Sequence, residues 1–478
     1  MEIHVIGHAS IFVNTQDCRI LMDPVLWNPH QEGLFDICPE REVIHENIPE
    51  FDLLIISHQH LDHFHIRSLA YLPKNVDVLI PEDKLIEDCL RQLGYSYIYT
   101  LKDFNKVKFG ATSLLTTRSE NRVPEYGVIF ADESGVFWNQ VDTIVSLNTI
   151  RLIKSRYEKI DFLLAMWQPM LEMNYQLNMS LNFPYSIYSK VLETISTIQP
   201  QAIAPGSNAF RCNGDSAWLN KILFPVTRER FCEDIKIVCP EIVDNIFTLD
   251  PGDVLSFEHG EFNHLKGECK FVKKISDHRE DLDFAPVRVG NQMIDSNPDN
   301  YHLDEMKQAI EQEISVNLAE LITKNRNFLF IEHCRWQVIY QLEIVFPDGS
   351  KIWNFDFSET NIQAQAGRNP LANLFTYMTA SSLYGILQGF KGWDYANLGG
   401  HYRRFQKIYL PTPQGIIKPD EELISDPLGF RFPYREVLKK VLNHEIAQWH
   451  HGNDNREQPS ETRKLMMRMG NTLFKLDK

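Results

Sequence analysis

Short apolar runs separated by turn residues fill the first half of the chain. They predict strands at 3–6, 10–13, 18–22, 52–57, 76–80, 106–109, 113–117, 127–131 and 135–138. Helical patterns at 81–93 and 181–198 lie between and after these strands. Strands interleaved with helices at this density are typical of an α/β layered domain, which ends in the sequence pattern near residue 255.

The second half has a different pattern. Residues 273–300 are charged and rich in turn residues, and a helical apolar stripe follows at 303–324. Alternating apolar positions at 338–346 and 352–357 flank Pro347-Asp348-Gly349-Ser350, which predicts a hairpin. Asn369-Pro370 has the form of a helix cap, so a helix is predicted from there to residue 387. We therefore predict a larger α/β domain at 1–255, a linker at 256–300, a smaller α+β domain at 301–450 and a polar tail at 451–478.

Composition narrows the class of protein. The 478 residues carry 64 acidic and 48 basic side chains, a net charge of −16, which excludes nucleic acid as the expected main partner. The chain starts without a basic segment ahead of a long apolar one, and the longest uncharged run, at 369–390, is too polar for a membrane span. Eight cysteines lack paired CxxC spacing and are expected to be reduced, which indicates a cytoplasmic protein.

One segment carries candidate chemistry: Ser57-His58-Gln59-His60-Leu61-Asp62-His63-Phe64-His65. It follows the buried-strand pattern at 52–56, so its side chains begin where a rigid strand ends and can converge on one ion. Imidazole nitrogens and carboxylate oxygens are ligands that zinc, iron and manganese accept. The segment therefore predicts a metal site.

These residues resemble the H-x-H-x-D-H motif of the metallo-β-lactamase superfamily. The stretches Gly7-His8-Ala9-Ser10 and Ile20-Leu21-Met22-Asp23-Pro24 resemble the opening of the branch that holds lactonase-like hydrolases and CMP-N-acetylneuraminate hydroxylases. The resemblance covers residues 1–255, just over half of the chain. It implies an α/β fold, the αββα sandwich, with metals between its two sheet edges.

The resemblance also implies a ligand set. His58 and His60 would bind a first metal, Asp62 and His63 a second, and Asp142, after the strand at 135–138, would bridge them. Asp23 is expected to orient a ligand histidine. His8 either does the same or is a packed histidine at the sheet edge.

Two departures from the hydrolase pattern stand out. The third histidine of the first metal, expected between residues 117 and 126, is absent. Glu120 is the first candidate to replace it and Glu125 is the second. Either glutamate could equally be an ordinary surface carboxylate. The last histidine of the family is absent too, and Ser207 or Asn208 stands in that region. The second metal site is therefore expected to be completed by water, weak or empty.

An anionic glutamate in place of a histidine makes the site richer in oxygen and favours iron or manganese over zinc. We therefore predict two iron ions and an oxygenase or hydroxylase of a small molecule, with Asp62 and Asp142 as catalytic residues. The hydroxylases that the sequence resembles carry a Rieske cluster, which needs two Cys-x-His pairs. This sequence has none, so no Rieske cluster is expected and electrons would come from a separate donor.

Two alternatives stay open. In the first, the site is a zinc-dependent hydrolase of an ester, lactone or phosphate, with Asp62 as the base and a bridging water as the nucleophile. In the second, the altered ligand set is a relic and the protein binds a ligand without catalysis. The sequence leaves the substrate and the oligomeric state open.

The second domain has no catalytic signature of its own. Its hairpin and following helix faintly resemble a sterol-carrier-like domain, which implies a role in holding an apolar substrate or in dimer formation. His444-Glu445-Ile446-Ala447-Gln448-Trp449-His450 is similar to H-E-x-x-H, but its histidines are six apart and miss a common helical face. A solvated helix is the preferred interpretation.

Overall fold

Short strands alternate with helices up to Ser276. The computed structural model describes residues 1–207, 209–286, 293–450, 465–469 and 472–475. The first strands are β1 (Glu2–Gly7), β2 (Ser10–Asn14), β3 (Arg19–Met22), β4 (Phe35–Ile37), β5 (Glu40–Val43), β6 (Leu53–Ile55), β7 (Asp77–Pro81), β8 (Tyr97–Leu101), β9 (Lys106–Phe109), β10 (Thr112–Thr116), β11 (Val128–Asp132), β12 (Gly135–Asn139), β13 (Phe162–Ala165), β14 (Ala202–Pro205), β15 (Phe210–Cys212), β16 (Val254–Glu258), β17 (Glu261–Leu265) and β18 (Val272–Ser276). The helices of this region are α1 (Ile66–Tyr71), α2 (Lys84–Gln92), α3 (Leu147–Lys154), α4 (Tyr185–Ile198), α5 (Asn220–Leu223) and α6 (Arg228–Val238), with 3-10 turns at His45–Asn47, Gly214–Leu219 and Pro240–Asn245.

The rest of the chain adds a second group of elements. Its helices are α7 (Leu303–Gln312), α8 (Ala319–Lys324), α9 (Ile331–Arg335), α10 (Ala380–Gln388), α11 (Trp393–Leu398), α12 (Pro427–Arg431) and α13 (Tyr434–Trp449), with a π-helical turn at Glu313–Leu318 and 3-10 turns at Arg279–Leu282 and Glu421–Leu423. Its strands are β19 (Ile339–Phe346), β20 (Gly349–Asp356), β21 (Gln365–Ala366), β22 (Leu374–Thr379), β23 (Tyr402–Gln406), β24 (Leu410–Thr412), β25 (Gly415–Ile417), β26 (Leu465–Met469) and β27 (Thr472–Lys475).

Two sheets of eight strands form the centre of the N-terminal region. One has the order β17-β16-β1-β2-β3-β6-β7-β8 and the other β14-β13-β12-β11-β10-β9-β26-β27. A buried cluster that includes Ile11, Ile55, Phe130 and Phe162 joins the inner faces of the two sheets. Helices α1 and α2 cover one outer face and α3, α4 and α6 cover the other. This layering confirms the predicted αββα sandwich.

The arrangement of strands brings one set of loops to one edge. Strands β3, β6 and β7 run parallel in the first sheet, and β12, β13 and β14 run parallel in the second. Because the carboxyl ends of parallel strands lie at the same edge of a sheet, the loops after them collect there, where open α/β sheets bind their ligands. Asp23 follows β3, the histidine motif follows β6, and Asp142 follows β12.

The C-terminal region is an α+β domain around a sheet of order β21-β20-β19-β22-β23. The predicted helical stripe at 303–324 and the predicted hairpin are both confirmed. The helix predicted from residue 370 is wrong over its first part, because Leu374–Thr379 is a strand paired parallel to β19. Leu374, Thr376 and Met378 are buried at alternate positions, the period of a strand, and the helix begins only at Ala380.

The boundaries also differ from the prediction. Residue 255 lies inside β16, which pairs with β1, and β18 pairs with β5, so the first half of the predicted linker belongs to the N-terminal region. Of the predicted polar tail, residues 451–464, 470–471 and 476–478 lie outside the described residues. The backbone of β26 pairs with β9 and extends the second sheet.

The two regions share a packed surface. Leu438, Val441, Leu442 and Ile446 of α13 belong to the same buried cluster as the side chains of α1 and α2. The C-terminal domain thereby completes the helical layer over the first sheet. In the part of the chain that the structure describes, no helix is long and apolar enough to span a membrane.

Candidate metal centre

The histidine motif forms a tight loop between β6 and α1. The backbone N–H groups of His63 and Phe64 donate to the carbonyl oxygen of His60, over 3.0 and 2.7 Å. This turn folds the loop back on itself and directs several of its side chains into one region. His58 and His63 are buried, and their ring centroids lie 4.1 Å apart.

Asp23 fixes the orientation of His63. Its Oδ1 accepts a hydrogen bond from the backbone N–H of Ser57 (2.7 Å), and its Oδ2 accepts one from the Ser57 hydroxyl (2.6 Å). The same Oδ2 lies 3.0 Å from Nδ1 of His63, which therefore carries a proton and donates it. The Nε2 atom of His63 is buried and faces Oδ2 of Asp142 at 3.2 Å, without a hydrogen bond of normal geometry among the described residues. Burial lowers the pKa of His63, but Asp142, Asp62 and Asp23 outweigh it and hold the pKa well above its usual value, so a metal ion bound at Nε2 would displace a proton.

Ser57 places His58 in a similar way. Because the Ser57 hydroxyl donates to Asp23, its oxygen accepts from Nδ1 of His58 at 2.9 Å. The Nε2 atom of His58 then faces Nδ1 of half-buried His60 at 3.0 Å. Burial, together with the neighbouring His63 and His60, holds the pKa of His58 well below its usual value, so His58 is neutral and its lone pair is free to bind a metal.

Asp62 is held by His8. Ala209 donates its backbone N–H to Nδ1 of His8 over 3.2 Å, so the proton of the imidazole is on Nε2, which donates to Oδ2 of Asp62 over 3.0 Å. Burial opposes ionisation of Asp62, but His63 and His8 outweigh it and hold the pKa of this carboxyl well below its usual value. Asp62 is therefore an anionic donor.

Asp142 lies between the two histidines that the resemblance assigns to different metals. Its Oδ2 is 3.2 Å from Nε2 of His63 and 4.0 Å from Nε2 of His58, and Ser207 donates its hydroxyl to Oδ1 over 2.6 Å. Burial raises the pKa of Asp142, but His63 and His58 outweigh it and keep the group ionised. This position suits a bridging carboxylate.

Two groups of donors are close enough to hold an ion. The ligand atoms of His8, Asp62 and His63 lie within 4.8 Å of one another, and so do those of His58, His63 and Asp142. Together with the unpartnered Nε2 of His63, these groups fit metal ions. His60 is adjacent to the second group through its contact with His58.

The structure separates the two candidate glutamates. Glu120 is exposed and lies 3.7 Å from Arg118, outside both donor groups, so the geometry does not support its choice as the first replacement for the missing histidine. Glu125 is buried, and Ser119 and Asn121 donate to its Oε1 while its Oε2 has no hydrogen-bond partner in the described chain. Burial and the charge of Asp142 raise the pKa of Glu125, the hydrogen bonds from Ser119 and Asn121 and the charge of His60 oppose the rise, and the net pKa is about 6. The carboxylate therefore interacts electrostatically with the site.

A further carboxylate, Glu172, was not identified from the sequence. It lies in the loop after β13, and its Oε2 is buried without a partner among the described residues. Burial and then the charges of Asp142 and Asp62 raise its pKa to about 7, so it lies close to the same centre. The signal was present, because Glu172 is the only charged residue between Asp161 and Lys190.

The remaining predicted residue at this edge, Asn208, lies outside the described residues. Ser207, beside it, contacts Asp142 as described above, and Trp167 donates its indole N–H to the Ser207 carbonyl over 3.1 Å. Ser207 therefore supports a ligand carboxylate and does not replace a histidine.

A cavity of about 510 Å³ adjoins the centre. His8 and Ser207, which hydrogen-bond to Asp62 and Asp142, are part of its wall. The rest of the wall combines apolar side chains, among them Trp167 and Phe224, with charged ones, among them Arg279. Its volume lies within the range of pockets that take small molecules, roughly 300–1,000 Å³.

The C-terminal domain also reaches toward the centre. Asp394, on α11, accepts a hydrogen bond from the Tyr434 hydroxyl over 2.7 Å. The pKa of Asp394 is raised above its usual value, chiefly by burial and also by the charge of Asp62. The hydrogen bond from Tyr434 and the charge of His60 oppose this rise. The loop that carries Glu172 is anchored on the same domain, since Asn178 donates to the carbonyl of Arg404 over 2.7 Å and accepts from Arg403 over 2.9 Å.

Known proteins resemble parts of this chain. A family model described as "Beta-lactamase superfamily domain" matches residues 2–138. In two strains of Mycobacterium tuberculosis, a protein named as a Rieske 2Fe-2S iron-sulfur protein is 28% identical over 106 residues, which is 22% of this chain and 20% of that protein. The match thus spans about a fifth of the length of these relatives.

Solved structures resemble about half of the chain. An isothiocyanate hydrolase from Delia radicum gut bacteria is 18% identical, with 54% of this chain and 100% of that chain covered and a TM-score of 0.39. CmlA, a diiron β-hydroxylase from Streptomyces venezuelae, is 15% identical, with 55% and 54% covered and a TM-score of 0.39. The family model therefore matches the part of the chain that contains the histidine motif, within the αββα sandwich described above.

Proposed function

We propose that this protein is a metal-dependent enzyme with a dinuclear iron centre that hydroxylates a small molecule. The observation that carries the proposal is the donor set. Asp62 and Asp142 belong to the donor groups around the histidines, and Glu125 and Glu172, outside those groups, each have one buried oxygen without a hydrogen-bond partner among the described residues. Hard, anionic oxygen donors favour iron or manganese over zinc.

Each residue has a place in this proposal. His58, His60 and Glu125 would hold one iron, Asp62 and His63 the other, and Asp142 would lie between them. Glu172 is a further donor where the family's last histidine is absent. When bound, a pair of iron ions with open positions would supply activation of dioxygen for the hydroxylation.

The surrounding residues keep these donors in one state. Asp23 holds a proton of His63 on Nδ1, and Ser57 accepts the Nδ1 proton of His58, so in each ring Nε2 is the nitrogen left for the candidate metal site. His8 keeps its own proton on Nε2, directed at Asp62. The cavity beside His8 and Ser207 is the proposed place of the substrate, and its mixed apolar and charged wall would suit a small molecule with polar groups.

Electrons for such a reaction would come from a separate donor. The M. tuberculosis relatives are named for a Rieske cluster, but this sequence has no Cys-x-His pair to ligate one. The small-molecule substrate, the electron donor and a cytoplasmic location are all part of the proposal.

A zinc-dependent hydrolase is the second candidate. The observation that favours it is the complete H-x-H-x-D-H motif, with neutral His58 and anionic Asp62. A hydrolase would use Asp62 to accept a proton from a nucleophilic water.

Metal analysis separates the two candidates. The full chain is purified from cells supplied with both iron and zinc, and its metals are counted by mass spectrometry. We expect about two irons per chain and dioxygen uptake after chemical reduction under argon and exposure to air. Near-stoichiometric zinc, with turnover of esters or lactones under argon, would favour the hydrolase, and a protein that retains no metal would favour the non-catalytic alternative.

A further inference from the structure

A second cavity lies where the N-terminal region meets the C-terminal domain. It has a volume of about 480 Å³. One side is the loop at 29–33, another is the back of the metal-binding loop at Leu61 and His65, and the far side is formed by α13 and residues 390–391. The helix that carries the H-E-x-x-H-like segment is therefore not simply solvated, because His444, Glu445 and Trp449 line this cavity.

The most unusual group in this cavity is the carboxylate of Glu32. Both of its oxygens are buried, and neither has a hydrogen bond of normal geometry to any residue that the structure describes. The nearest backbone donor, the N–H of Gly392, only partly offsets the burial that raises the pKa of Glu32 well above its usual value. Burying a carboxylate without strong hydrogen-bond donors costs free energy, so a hydrogen-bond donor or a positive charge at this position would stabilise the protein.

A second carboxylate faces the same space. Glu445 of α13 lines the cavity, and burial raises its pKa to about 7. Glu32 and Glu445 line the same cavity, and the charge of Glu445 contributes to the raised pKa of Glu32. Each would be stabilised by one cation placed between them.

The two basic side chains of the cavity are already engaged. Lys391 donates to the backbone carbonyl of Glu32 over 2.7 Å, lies 3.4 Å from Asp299, and sits 4.2 Å from the ring centre of Tyr395. Arg67 is stacked between the rings of Trp27 and Trp449, at 4.6 and 4.4 Å. Neither forms an ion pair with the carboxylate of Glu32 or Glu445 within 4.0 Å in the described part of the chain.

An independent observation points to a ligand in the same place. His30 also lines the cavity; it is 1% exposed, and neither ring nitrogen has a hydrogen-bond partner among the described residues. His30, Glu32 and Glu445 are not among the groups whose ligand atoms come within 4.8 Å of one another. The donors are thus spread over a region larger than the shell of one metal ion, which suits an organic molecule.

The remaining walls are aromatic. Tyr301, Phe390 and Trp449 border the cavity, and aromatic walls stabilise both the carbon skeleton and the positive charge of an organic cation. We propose that this cavity binds a small primary amine, whose ammonium group lies between Glu32 and Glu445 and whose carbon skeleton packs on these aromatic rings. The site is separate from the proposed iron centre and requires no activity of that centre.

Calorimetric titration of the full chain, with its metal as purified, tests the inference. Phenethylamine is the probe, at about pH 8 where its ammonium is charged, and phenethyl alcohol is the neutral control. We expect saturable binding of the amine and none of the alcohol. Glu32→Gln and Glu445→Gln should each weaken binding about tenfold or more, because each removes one charge from the ammonium site.

Glu436→Gln is the matched control, since Glu436 is exposed on the same helix α13. Circular dichroism checks that each variant is folded, and metal content is measured in the same samples. Binding of the alcohol as tight as that of the amine, equal affinity in Glu32→Gln and Glu436→Gln, or no saturable amine binding by the folded wild type would each overturn the inference. Because metal content is recorded separately, such a failure leaves the proposed iron centre to its own test.

Discussion

Replacing Asp23 by asparagine changes one atom of the proposed centre without touching a ligand. The carboxylate accepts three hydrogen bonds, from the N–H of Ser57, the hydroxyl of Ser57 and Nδ1 of His63. An asparagine has only one acceptor oxygen. The backbone N–H of Ser57 cannot change its role, so the amide oxygen takes the Oδ1 position and the NH₂ group takes the Oδ2 position.

That exchange reverses the tautomer of His63. The NH₂ group would donate to Nδ1, so the proton of the neutral ring moves to Nε2, the atom that faces Asp142 at 3.2 Å. A protonated Nε2 cannot bind a metal. Loss of such an orienting partner lowers metal affinity about 10- to 100-fold, which corresponds to about 1.4–2.7 kcal/mol. The weakened hydrogen bonds should also lower the free energy of unfolding of the metal-free protein by about 1–3 kcal/mol.

The assay compares Asp23→Asn with Asp88→Asn, a control at a carboxylate on α2 that is 45% exposed and paired with Lys84. Metal affinity is measured by competition with a chelator, and unfolding by urea titration of the metal-free proteins. The reasoning is refuted if the folded Asp23→Asn protein holds its metal against the chelator as strongly as Asp88→Asn does.

Three further substitutions test other parts of the account. Glu125→Gln should lower metal affinity about tenfold or more, whereas Glu120→Gln should leave it unchanged. Both affinities are measured by the same chelator competition, and equal values would show that Glu125 is not a ligand. Glu172→Gln should lower the number of metals bound per chain relative to Glu193→Gln, an exposed control on α4, and unchanged occupancy by mass spectrometry would remove Glu172 from the centre. In the folded protein the pKa of Glu445 is about 7, compared with an ordinary value of 4.5. Ionisation of Glu445 therefore opposes folding, and the free energy of unfolding falls as the pH rises from about 4.5 to 7. Urea unfolding at about pH 5 and 8 should show that Glu445→Gln removes up to about 3 kcal/mol of this loss, and parallel pH profiles for wild type and variant would contradict it.

The pattern of apolar residues was sufficient to predict secondary structure where the local preference of a segment and its pairing partners in the fold favour the same element. The alternation of apolar residues in β1 and β19 and the short apolar runs in β2 and β6 predict strands, and the histidine motif follows β6 as its position indicates. Residues 374–379 are different, since Leu374 and Met378 also fit a helical spacing. Pairing with β19 and β23 on both sides determines the strand there, and a single sequence does not display those partners.

The candidate site was predictable to the extent that its residues share one loop. Glu120 and Glu125 lie in the same segment, and only the fold shows that Glu120 turns toward Arg118 while Glu125 is enclosed by Ser119 and Asn121. Glu172 and Glu32 come from loops far from the motif in sequence. Glu32 is buried against Gly392 of the C-terminal domain, and no local pattern places Glu32 near Glu445 or Glu172 near Asp142.

The central claim is that the carboxylate-rich centre holds iron. Its most direct test is the metal content of the full chain after growth with both iron and zinc, measured alongside an Asp142→Ala variant. The account predicts about two irons per wild-type chain and a large loss of iron in Asp142→Ala, because Asp142 lies between His58 and His63. A wild-type protein filled with zinc and free of iron would contradict it.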